Sequence, residues 1–91
     1  MHWVKNHGKV LAVCDEKILG KEFCEGERVF KVGEFFYKGE LVSTPVLKDW
    51  LKCSANINIV GEDSIKAARS LKMLAATDKI QNVPYAIIIK V

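Results

Sequence analysis

"VPYAIIIKV", residues 83–91, is the stretch on which the fold turns. Ile87, Ile88 and Ile89 are apolar in series, so both faces of a strand here are hydrophobic, as in an interior strand covered on each side. Pro84 cannot donate within a ladder and must stand at the strand's start. Two helical patterns precede this strand. In "STPVLKDWLKCSA" (43–55) Ser43 or Thr44 can cap, Pro45 suits a first turn, and Leu47, Trp50 and Leu51 fall at i, i+3, i+4. "GEDSIKAARSLKMLAA" (61–76) opens acidic at Glu62 and Asp63, which complements the positive end of a helix, and presents Ile65, Ala68, Leu71 and Ala75 for burial.

Further out, "HWVKNHGKVLAVC" (2–14) reads as a hairpin turning around Asn6, His7 and Gly8. "DEKILGKEFCEGE" (15–27) is a polar excursion with a short edge strand near Ile18–Leu19. "RVFKVGEFFY" (28–37) reads as strand, bulged near Gly33. The order is strands, two helices, then a strand. It implies one α+β domain over residues 1–91: a two-layer sandwich in which two helices cover one face of a mixed sheet of four or five strands. The Ile-rich last strand is expected beside the first hairpin, away from an edge. Asn56, in "SANINIVGED" (54–63), reads as the C-cap of the first helix.

Size and composition agree with one such core. The 91 residues are 49% hydrophobic and 27% charged, an ordinary globular balance. No apolar run reaches the length of a membrane span, and residues 1–14 are too polar for a signal peptide, so a cytoplasmic protein is expected. Cys14, Cys24 and Cys53 are odd in number and loosely spaced, which points to reduced thiols. With His2 and His7 they show no metal-ligand spacing. Neither a phosphate loop nor a dinucleotide fingerprint is present, and no cofactor is expected.

The net charge is +3, and its excess lies in residues 42–91, which carry seven basic against four acidic groups. Two features suit an RNA partner. Phe35, Phe36 and Tyr37 are flanked by Lys31 and Lys38, a pattern in which rings stack bases and lysines meet phosphate. One sheet face cannot bury three successive rings; Phe36 is expected to pack beside Trp50 while Tyr37 reaches out. The second feature is Lys66, Arg69 and Lys72, spaced along one helix face with no acid between them. Catalysis has one candidate, Cys14–Asp15 at a strand end, with His2 as base if the hairpin turn has three residues; a two-residue turn puts His2 on the opposite face.

The runs Cys14–Lys21 (C-D-E-x-x-L-G-K), Phe36–Gly39 (F-Y-x-G) and Ala55–Glu62 (A-N…V-G-E) resemble, in order and spacing, the small archaeal family known as domain of unknown function 424. The likeness covers nearly the whole chain, with a longer connection at Ile57–Ile59. It implies an α+β two-layer fold, an archaeal cytoplasmic source and, because such proteins are encoded near translation genes, a place in translation. The expected function is therefore a non-catalytic protein bound to ribosomal RNA or a ribonucleoprotein, without DNA specificity, using Lys31, Tyr37, Lys38, Lys66, Arg69 and Lys72. A monomer or weak homodimer is expected. The alternatives are a small enzyme or metabolite-binding protein centred on Cys14 and Asp15, or a dimeric protein-interaction module.

Overall fold

The computed structural model describes residues 1–74 and 77–90; the expected burial of Ala75 falls outside them. The chain opens with the hairpin β1 (His2–Asn6) and β2 (Leu11–Asp15). Its turn is longer than either expected form. Asn6 pairs with Leu11 and His2 with Asp15, so residues 7–10 make the connection. The His7 amide donates to Val10 O at 2.8 Å, and Asn6 Oδ1 accepts from the Gly8 amide. This register places His2 and Asp15 on one face, and Cys14 opposite Trp3 on the other.

A 3-10 turn at Glu16–Ile18 leads into a small separate hairpin, β3 (Glu22–Glu25) and β4 (Arg28–Lys31). Residues expected to continue that strand instead form a single helical turn, α1 (Glu34–Tyr37), closed by Tyr37 N–H to Gly33 O and Lys38 N–H to Glu34 O. The turn settles the problem of three successive rings, because a helix fans neighbours about its axis where a strand only alternates them. Tyr37 is buried at 5% exposure, Phe36 is half-buried against His7, and Phe35 projects at 88%. The ring expected to reach out is thus the sealed one. Phe36 joins the apolar cluster opposite to that of Trp50.

The chain then runs along β1 as β5 (Glu40–Val42), and a side chain at Gly39 would collide with the Val4 carbonyl. α2 (Thr44–Cys53) follows, with Pro45 in its first turn and Ser54 donating to Trp50 O at 2.8 Å. The segment expected as a cap and connection is β6 (Asn56–Val60), parallel to β2. Its N-I-N-I alternation puts Ile57 and Ile59 into the core under the helices, with Asn56 and Asn58 on the reverse face.

α3 (Glu62–Ser70) is shorter than expected, ending where Lys72 takes φ +58° and donates to Arg69 O. β7 (Asp78–Ile80) and β8 (Val83–Ile89) are joined by Gln81–Asn82, both at positive φ as a two-residue hairpin turn demands.

The sheet order is β5-β1-β2-β6-β8-β7, six strands where four or five were expected. β8 pairs with β6 and β7, leaving β6 as the strand beside the first hairpin. The class is α+β with a mixed sheet, and α2 and α3 lie together on one face over Val4, Val13, Ile57, Ile59 and Ile88. On the other face the segment between β2 and β5 forms a partial second cover over Ala12, Cys14 and Val60. That cover stops near Tyr85. Ile87 and Ile89 are therefore each 68% exposed, contrary to the expectation of a strand covered on both sides, while Ile88 is buried under the helices.

Candidate functional site

The buried polar groups gather where α3 begins. Gly61 has φ +110°, a conformation that disfavours side chains, and a Cβ there would strike the Asp15 carboxylate. Asp15 thereby reaches the first free amides of the helix, accepting from Asp63 N–H at 3.0 Å and Ser64 N–H at 2.7 Å. A strand carboxylate thus caps a helix whose own N-cap residue has no side chain. His2 lies beside it, hydrogen-bonded through Nδ1 to Ser64 Oγ and through Nε2 to Thr44 Oγ1, both at 2.8 Å. This network ties β1, β2, α2 and α3 together.

The Cys14–Asp15 alternative loses its parts in this arrangement. Asp15 is engaged by two amides, and His2 faces away from Cys14 across the sheet. Burial, reinforced by the Asp15 charge, pushes the Cys14 thiol up to about 12, so no thiolate nucleophile forms at neutral pH. No group of three or more His, Cys, Asp or Glu able to hold a metal occurs among the described residues.

The basic residues divide into two sets. Lys66 and Arg69, on the outer face of α3, border a groove of about 330 Å³ whose far wall is Lys79, Asn82 and Pro84 of the β7–β8 hairpin. Glu62 is the acid at its rim. Arg69 is steadied by donating to Thr77 Oγ1 at 2.9 Å. Lys66 also borders a second hollow of about 350 Å³, shared with Lys48, Thr44, His2 and Asp63. A band of cations thus crosses from α2 over α3 to β7. Lys72 was expected to continue the helical row, but it lies past the helix end in left-handed backbone.

Lys31, Tyr37 and Lys38 belong to the second cover, on the opposite side of the sheet. Lys31 is exposed on β4, and Lys38 holds its Nζ 5.8 Å from the Trp3 ring centre. Tyr37 cannot stack a base from an open platform, because its ring is packed inside. Phe35 is the ring presented to solvent, with Lys5 Nζ 4.9 Å from its centre and donating to its carbonyl oxygen.

Lys79 escaped the sequence reading; it follows from recognising Gln81–Asn82 as a hairpin turn.

A family model described as "Protein of unknown function (DUF424)" matches residues 2–91. Among solved structures, the crystal structure of an uncharacterized conserved protein from Methanopyrus kandleri is similar with a TM-score of 0.76 at 21% identity, covering 99% of this chain and 93% of that one. The likeness is one of fold. No curated protein matches the sequence.

Proposed function

The chain belongs to the DUF424 family of proteins of unknown function, and from that premise we propose that it is a non-catalytic, cytoplasmic RNA-binding protein of the translation apparatus. The observation that carries this reading is the convergence of Lys66, Arg69 and Lys79 on one groove, with Glu62 the acid beside them. Cations drawn from a helix and a neighbouring strand, with open solvent before them, suit a phosphate backbone, whose charges recur along a line. Lys48 extends the contact on the same side, and Lys31 and Lys38, on the opposite side of the sheet, meet only a strand that wraps around it. The Cys14 environment supports no competing nucleophilic chemistry.

Binding of a ribosomal RNA fragment, measured by fluorescence anisotropy across a salt series, tests the proposal. Three phosphate contacts predict that log affinity falls against log salt with a slope of about −2. Lys66→Glu combined with Arg69→Glu should weaken binding by at least about tenfold and flatten that slope, because reversal replaces attraction by repulsion. Affinity indifferent to both salt and charge reversal would falsify the reading.

A further inference from the structure

Resting on that reading, we propose that the cavity between Phe30, Tyr37, Asn58 and Tyr85 takes one unstacked nucleobase of a single-stranded RNA. The cavity measures about 130 Å³ and lies on the reverse face of the sheet, where the second cover ends. Its walls come from four elements: Phe30 from β4, Tyr37 from α1, Asn58 from β6, and Tyr85 with Ile87 from β8. Phe30 and Tyr85 stand tilted at 52° with ring centres 5.1 Å apart, giving an aromatic wall.

Two polar groups in this lining bear on what the cavity can hold. Neither the Tyr37 hydroxyl nor the Asn58 carboxamide hydrogen-bonds to a described residue, and neither is a sealed, unsatisfied buried atom. Both therefore remain open to an incoming molecule. A hydroxyl and a carboxamide each donate and accept, which matches the mixed edge of a base. The Tyr37 hydroxyl, like any tyrosine's, is protonated at neutral pH, and burial raises its titration further, to about 12. Arg28 hydrogen-bonds to the hydroxyl of the lining Tyr85 and to Lys79 O and holds its guanidinium 5.9 Å from the Tyr85 ring centre, a charge available to the phosphate that accompanies a base. An aliphatic ligand would leave the amide and hydroxyl unpaired, at a cost in affinity. A planar heterocycle uses both walls and edge.

The test titrates isotope-labelled protein with adenosine, guanosine, cytidine and uridine, which carry no charge for the groove to attract, and with ribose 5-phosphate as control. At least one nucleoside should move the Asn58 side-chain amide resonance at millimolar concentration while ribose 5-phosphate leaves it still. A second arm compares a short single-stranded RNA with an abasic ribose-phosphate strand of equal length. The base-bearing strand should bind at least about fivefold tighter. Asn58→Leu should remove that difference without weakening the abasic strand, and Asn58→Ser serves if leucine disturbs β6. An Asn58 resonance unmoved by every nucleoside overturns the pocket. Equal affinity for the two strands overturns it too, while leaving the groove intact. Failure of both strands to bind, with a nucleoside still moving Asn58, overturns the RNA reading and keeps the base site.

Discussion

Gly61 and Asp15 depend on each other atom by atom. The carboxylate reaches the α3 amides only because nothing projects from residue 61, whose backbone is already in the left-handed region. Gly61→Ala should therefore destabilise the protein by about 2 kcal/mol or more, combining strained backbone with overlap against the carboxylate. Asp15→Asn keeps the size but weakens the charge-assisted bonds, with an expected loss of about 1 kcal/mol or more. Urea denaturation of both variants measures this, and a change under about 0.5 kcal/mol for Gly61→Ala contradicts the geometry. The thiols make a second check at this scale. Cys24 and Cys53 are exposed and Cys14 is buried. Brief alkylation of the native protein should modify Cys24 and Cys53 and spare Cys14, which becomes reactive on unfolding.

Among the elements, α3 joins the core to the surface groove. Ile65, Ala67 and Ala68 bury its inner face, while Lys66 and Arg69 look outward. Its attachment to β1 through His2 makes stability depend on pH. Burial, then the Met1 amino group, lower the proton affinity of His2, against an upward pull from Asp15 and Asp63. The folded state thus prefers the neutral ring, whereas the unfolded chain binds a proton at the ordinary value of about 6.5. Stability from this source is intact above that pH and falls below it, until the folded ring also protonates. Melting temperatures taken from about pH 7.5 down to about pH 5 should fall. His2→Gln should lack that component.

The elements also show what can be read without coordinates. α2 was legible because its apolar spacing, cap and proline agree. β6 was not, because Asn56 and Asn58 carry turn propensity, and only partners on both sides make residues 56–60 a strand. α1 was hidden for the opposite reason. Phe35, Phe36 and Tyr37 favour strands locally, but tertiary packing of Tyr37 with Cys14 and Val60 goes with a helical turn. The groove was half legible: Lys66 and Arg69 share a helix face by spacing, while Lys79 joins them only through tertiary structure.

At the scale of the molecule, β2 and β6 form the middle of the sheet and are covered by helices on one side and, in part, by the second layer on the other. The three-residue strands β5 and β7 are its edges. Amide hydrogen exchange should be slowest in Leu11–Cys14 and Ile57–Val60, opening only with global unfolding. Protection in β5 and β7 should be lower by roughly tenfold or more, since edge strands open locally. Uniform protection across the sheet would contradict the layered arrangement. The partial cover also explains how one sheet serves two proposed purposes: α2 and α3 carry cations on one side, and the uncovered end of the reverse face leaves a ring-lined recess beside Ile87.

The parallel seam between Leu11–Cys14 and Ile57–Val60 has a kinetic consequence. Those segments must find each other across an intervening stretch that holds a hairpin and α2, so a large loop closes before the centre of the sheet exists. During synthesis the first hairpin therefore waits with one side bare until residue 60 has left the ribosome. β8 emerges later than β6 and pairs along the edge that β6 leaves open.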